Sequence, residues 1–214
     1  MKIYRIPQKI GAIIFDIDGT LYTSPEYVHE QVDVQIRYYA KTHGMTEQEA
    51  RDSITAYRKE WSSAHQGKSI SLGNTLTAFG IPIETSIKWR EQLLKPELYL
   101  KKNPELIETL EKLSKSFRLI CLTNNPVNAA RKTLAAIGAD RILPDIIGLD
   151  TCMKSKPSPE MLELASKRTG VPFCECLSVG DRYDIDLALP LKMGMGAVEV
   201  TGAEDIITLS TILA

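Results

Sequence analysis

The feature that most restricts what this chain can fold into is one short run, Ala12-Ile13-Ile14-Phe15-Asp16-Ile17-Asp18-Gly19-Thr20. Four consecutive apolar residues read as a strand buried on both faces. That strand passes directly into two carboxylates one residue apart. Side chains at i and i+2 of a strand point to the same side, so Asp16 and Asp18 face one site wherever the extended geometry continues. Two like charges held so close repel. The arrangement is tolerable only if the fold, or something bound to it, brings positive charge to the same place. In open α/β sheets ligands bind just beyond the carboxyl ends of the strands, which is where this doublet falls.

The C-terminal half supplies the rest of such a sheet. From about Asn103 onward, short apolar runs alternate with helical patterns. RLICLT, DIIGL, CLSV and GAVEV read as strands. PELIETLEKL sets Leu106, Ile107, Leu110 and Leu113 on one helical face, and VNAARKTLAAIG reads as a helix stopped by Gly138. SPEMLELASKRTG is a helix with Ser158 at its N-cap, and a further helix is expected through IDLALPLKMG. With the opening strand this makes five strands with intervening helices. The expected fold is α/β, a doubly wound parallel sheet with right-handed crossovers.

Between Ser24 and about Pro96 the alternation breaks. Val28, Val32, Ile36 and Tyr39 recur at helical spacing, as do Ala50, Ile54, Tyr57, Trp61 and Ala64. Thr46 with Glu49 fits a capping box, and Gly44, Gly67 and Gly80 punctuate the segment. Two shorter helices are expected around Leu72–Phe79 and Thr85–Leu94. About seventy helical residues far exceed the dozen or so of an ordinary crossover. We therefore expect residues 24–96 to form an inserted helical cap domain, and residues 1–23 and 97–214 the α/β core.

The 26 lysines and arginines balance 27 aspartates and glutamates, for a net charge of -1. That balance argues against a general binder of nucleic acid or anionic membranes. No apolar run approaches the roughly 18 residues of a membrane span. MKIYRIPQKIGAIIF lacks the apolar length and cleavage site of a signal peptide. A cytoplasmic protein is expected. Cys121, Cys152, Cys174 and Cys176 contain no CxxC, and the three histidines are distant in sequence, so reduced thiols are expected rather than a zinc site. Nothing in the sequence speaks to oligomeric state.

Three more strand ends carry polar residues: Thr123 and Asn124 after RLICL, Lys154 and Lys156 after DIIGL, and Asp181, Asp184 and Asp186 after CLSVG. Singly these are turn formers, caps or solvated lysines. Together, FDIDGT, LTNN, SKP and VGDRYDID resemble the four motifs of the haloacid dehalogenase-like hydrolases. The resemblance covers nearly the whole chain, including a helical insertion where that family's first type of cap sits. It implies that Asp16 is a nucleophile forming an aspartyl-phosphate. It implies that Asp18 is the general acid to the leaving oxygen and then the general base to water. It implies a Mg²⁺ ion held by Asp16, Asp181 and the backbone carbonyl of Asp18, with Asp186 completing the metal site and Asp184 left as a candidate helix cap. Lys156 supplies a second cation, and Thr123 and Asn124 join it in holding the substrate phosphate. The family's dehalogenases lack an acid at position 18, so Asp18 points to phosphoryl transfer. The implied activity is Mg²⁺-dependent hydrolysis of a small phosphorylated metabolite. A phosphomutase of the same family, a receiver-like regulatory module and a non-catalytic phosphate-binding module are the alternatives.

Overall fold

A computed structural model describes residues 1–213. The apolar runs become strands β2 (Ala12–Phe15), β3 (Arg118–Leu122), β4 (Ile146–Ile147), β5 (Cys176–Gly180) and β6 (Gly196–Glu199). They join β1 (Lys2–Arg5) in one sheet of order β1-β6-β5-β2-β3-β4. All pairings are parallel except β1 with β6. The doubly wound α/β sheet expected from the alternation is thus present, with one antiparallel edge strand added. β1 was not expected from sequence: KIYR is short, mostly exposed and without an apolar face, and it takes its extended form from the β6 ladder.

Register is what builds the site. Phe15 stands opposite Cys121 of β3 and Val179 of β5. The chain that leaves each of these three strands therefore emerges at the same edge. Ala12 to Phe15 are essentially inaccessible to solvent, as a strand covered on both faces requires. On one face Ala12, Ile14, Ile120 and Leu122 pack against Met161, Leu162 and Ala165 of α8 (Pro159–Thr169).

The helices around the sheet carry explicit start and stop signals. In α5 (Pro104–Ser116) the Asn103 side chain accepts the Leu106 N–H at 3.1 Å, and Leu106, Leu110 and Leu113 are buried. α6 (Val127–Ile137) ends at Gly138 with φ 83°, and Ser158 caps α8. α7 (Leu149–Cys152) and α10 (Ala203–Ile212) complete this part with α9 (Ala188–Lys192). The single helix expected across 185–194 is instead a π-type turn, Tyr183–Leu187, followed by the short α9. The turn is held by bonds to the sheet: Ser178 Oγ donates to the Asp186 carbonyl at 2.9 Å. Irregular turns of this kind concentrate at functional sites.

The chain divides into two compact units, Met1–Ser24 with Lys95–Ala214, and Pro25–Leu94. The second consists of α1 (Pro25–Thr42), α2 (Glu47–Ala64), α3 (Leu72–Ala78) and α4 (Ile83–Leu93). Its own core joins Ile36, Tyr39, Ala40, Ala50, Ile54, Leu72, Leu76 and Trp89. Thr46 and Glu49 form the reciprocal capping box at the start of α2. The α1 stripe is shorter than its spacing suggests: Val28 and Val32 are exposed, because this core starts only at Ile36. Buried Asp33 of α1 accepts bonds from Arg37 on its own helix and Arg51 on α2, tying the two helices together. Among the described residues, no helix is long and apolar enough to cross a membrane.

Candidate active site

Asp16 is the first residue beyond β2. Its backbone N–H still bonds to Val179 O of β5 at 2.9 Å, so its position is set by the sheet ladder. Its side chain is buried. Oδ1 accepts from the Lys156 ammonium, while Oδ2 is buried without a hydrogen-bond partner. Lys156 arrives on the loop between α7 and α8 and is itself buried. Its Nζ lies 2.7 Å from Asp186 Oδ1, so one ammonium bridges two carboxylates from opposite ends of the sequence.

Asp181 and Asp186 leave β5. Asp186 Oδ2 accepts the Arg182 N–H at 3.1 Å, which folds the π-type turn back toward the strand end. Asp181 is half-buried, and its Oδ1 is 3.5 Å from Arg182 Nε. Carboxylate oxygens of Asp16, Asp181 and Asp186 lie within 4.8 Å of one another. Asp184 points away: it is exposed, lies inside the π-type turn, and does not cap it.

Asp18 joins the cluster from the turn after β2. Leu21 N–H bonds to Ile17 O at 3.0 Å, and Gly19 has φ 81°. A Cβ at Gly19 would stand 2.5 Å from Asp181 Oδ2, so both the left-handed backbone and the close approach demand glycine. Both oxygens of Asp18 are engaged, Oδ1 by the Tyr22 hydroxyl and Oδ2 by Asn125 Nδ2 at 2.9 Å.

Thr123 follows β3 and is fully buried; its Oγ accepts the Asn125 N–H at 3.1 Å, which leaves the hydroxyl proton to donate elsewhere. Asn124 takes a different place from its neighbour. Its Oδ1 accepts the Lys156 N–H at 2.6 Å and so anchors the loop that carries the lysine. The structure thus gathers Asp16, Asp18, Thr123, Asn124, Lys156, Asp181 and Asp186 at one sheet edge. Tyr22 and Asn125 belong to the same constellation and were absent from the sequence-based set. The repeated asparagine in TNN was the only signal for Asn125, and an apolar-looking turn residue gave none for Tyr22.

Electrostatics follow from burial and charge count. Burial pushes the Asp16 carboxyl up, to about 7, against the pull of Lys156; Asp186 and Asp18 push it the same way. Burial also pushes Asp181 up, against Arg182. For Lys156, burial favours the neutral amine, but Asp16 and Asp186 outweigh it and hold the ammonium above its usual value. Four carboxylates share the site with Lys156 and Arg182, so full ionisation leaves an excess of negative charge. The all-oxygen anionic donor set and the unpartnered Asp16 Oδ2 suit a hard divalent cation.

The chain is similar to several known proteins. A family model described as haloacid dehalogenase-like hydrolase matches residues 10–193. A glyceraldehyde 3-phosphate phosphatase of Methanopyrus kandleri is 26% identical over 195 residues, covering 89% of this chain and 84% of its own. A phosphoglycolate phosphatase of Vibrio vulnificus is 28% identical over 192 residues, covering 85% and 79%. Among solved structures, Bacillus subtilis YfnB, bound to magnesium, superimposes with a TM-score of 0.60 at 16% identity, over 95% of this chain and 99% of that one.

Proposed function

The chain belongs to the haloacid dehalogenase-like hydrolases, and on that footing we propose that it is a Mg²⁺-dependent phosphatase of a small phosphorylated metabolite. The observation that carries this reading is Asp16. It is a buried carboxylate at the sheet edge, paired with Lys156, with one oxygen unpartnered and a second acid two residues on. That is the equipment of a carboxylate nucleophile with its own proton donor.

In this reading Asp16 attacks phosphorus, and the bond from phosphorus to the ester oxygen breaks. The leaving oxygen keeps the electron pair and takes the proton of Asp18. Water then attacks the aspartyl-phosphate, gives its proton to Asp18, and the Asp16–phosphorus bond breaks to restore the carboxylate. Lys156 and the Thr123 hydroxyl hold phosphoryl oxygens, and Asn124 keeps the lysine loop in place. Asp16, Asp181 and Asp186, with the Asp18 carbonyl, are the residues that would hold Mg²⁺. Bound there, the ion offsets the repulsion between carboxylates and a phosphate dianion and orients the phosphoryl oxygens. Residues 24–96 serve as the cap domain, and the four free cysteines fit a cytoplasmic setting.

Relatives named as phosphatases for two different small phosphate esters favour hydrolysis over the phosphomutase alternative. The test is phosphate release by purified protein from p-nitrophenyl phosphate and a panel of phosphorylated metabolites, with and without Mg²⁺. Release that depends on Mg²⁺ is expected. No release from any ester in the presence of Mg²⁺ overturns the reading.

A further inference from the structure

Asp18 is held more firmly than a general acid alone would require. Each of its two carboxylate oxygens has a side-chain donor, Tyr22 on Oδ1 and Asn125 at 2.9 Å on Oδ2. Neither donor is a surface group: Tyr22 is 6% exposed and Asn125 9%. Their positions are set by the backbone. The turn after Asp18 is closed by Thr20 and Leu21 N–H bonds to Ile17 O, and a backbone bridge joins Asp18 to Tyr22. Asn125 is fixed by its own N–H on Thr123 Oγ. The acid is therefore clamped between two different elements, the β2 turn and the end of β3.

Building on the phosphatase reading above, we propose that Tyr22 is a positioning residue for Asp18, and that with Asn125 it sets the direction in which Asp18 exchanges a proton with the leaving oxygen and with water. The chemistry of the two donors divides the work. A side-chain amide N–H only donates, so Asn125 keeps Oδ2 as an acceptor. The Tyr22 hydroxyl donates to Oδ1, and a carboxyl oxygen that carries a proton keeps acceptor capacity, so that bond holds in the carboxylate and in the acid while the acid proton faces the leaving oxygen. Oδ1 is then the oxygen that carries the proton in transit. Holding it in one direction removes a rotational search from each of the two steps.

Tyr22→Phe removes only the hydroxyl. For an alkyl phosphate, whose alkoxide needs a proton as it leaves, kcat/KM is expected to fall about 10- to 100-fold, the lower part of the range a complete general acid provides. For p-nitrophenyl phosphate, whose leaving group needs little help, the fall in kcat/KM is expected to stay under about threefold. Phosphorylated Asp16, whose hydrolysis is common to both esters, should accumulate in the mass spectrum during turnover of either one. A packing defect would instead lower both substrates alike. Asn125→Ala should show the same leaving-group bias, and it carries the test if Tyr22→Phe does not fold. Asp18→Asn is the reference, with a larger bias of the same kind. Wild-type protein that releases no phosphate overturns the phosphatase reading and this inference together. An active wild type and a biased Asp18→Asn, with Tyr22→Phe at the wild-type ratio of alkyl to aryl kcat/KM, overturn the inference alone.

Discussion

As the proposed nucleophile, Asp16 has to be charged to act, and it is placed where charge is costly. Burial favours its neutral form, Lys156 favours the ionised one, and one oxygen is left without a donor. Replacing it with the near-isosteric amide should leave the fold intact and remove the proposed nucleophile. Asp16→Asn is expected to lower kcat by more than about a thousandfold, roughly 4 kcal/mol in barrier. Steady-state kinetics beside a circular dichroism spectrum checks this, and activity within tenfold of wild type would sink the assignment. Gly19 is the second residue with no substitute. An alanine there meets the left-handed backbone and Asp181 Oδ2 at 2.5 Å. Gly19→Ala should cost about 1–2 kcal/mol of stability and weaken Mg²⁺ binding by displacing Asp181. Denaturant unfolding and isothermal titration with Mg²⁺ measure the two effects; an unchanged Mg²⁺ affinity would separate Gly19 from the metal site. At this scale the sequence was informative wherever a residue type is chemically costly. Two acids after an apolar strand need an explanation, whereas Lys156 reads as a solvated lysine by itself and gains meaning only beside them. It was silent where two identical residues compete. Asn124 and Asn125 differ only in which way a turn sends them, and the turn is set by Thr123 and Lys156.

Elements were legible in proportion to how much apolar surface they bury locally. RLICL, CLSVG and GAVE are apolar runs covered by helices, and they appear as strands in the expected order. β1 has no such surface and depends on its neighbour, and the π-type turn depends on bonds from Ser178 and Arg182 that no periodicity encodes. The α1–α2 pair rests on a partly electrostatic seam, which makes it pH-sensitive. Hydrogen bonds from Arg51, and then Arg37, outweigh burial and hold the Asp33 carboxyl below its usual value. The folded protein thus binds that proton more weakly than the unfolded chain does. The stabilisation is present above the unfolded value of about 4 and is lost as pH falls through the lower folded value. Asp33→Asn should cost about 1–2 kcal/mol at pH 7 and progressively less below about pH 4. Thermal melts of both proteins from pH 7 to pH 3 test the sign; a gap that widens on acidification contradicts it.

On the scale of the whole molecule, the proposed metal site would make stability answer to a cation. An ion that binds only the folded chain stabilises it by mass action, about 2.7 kcal/mol at a hundredfold excess over its dissociation constant. Mg²⁺ should therefore raise the melting temperature and EDTA reverse the rise, while Asp181→Ala should blunt the response. A melting temperature indifferent to Mg²⁺ in wild type would remove the metal from the site. The register of β2 has a further consequence, for biosynthesis. Phe15 is made long before either of its partners, Cys121 and Val179. The α1–α4 unit closes on contacts among its own residues, made in one continuous stretch. A nascent chain can thus complete an inserted module while the strand that precedes it is still waiting for the sheet. Local contacts form faster than distant ones. Pulse-labelled hydrogen exchange during refolding should show protection in Pro25–Leu94 before Ala12–Phe15, and simultaneous protection would mean that the two parts fold as one.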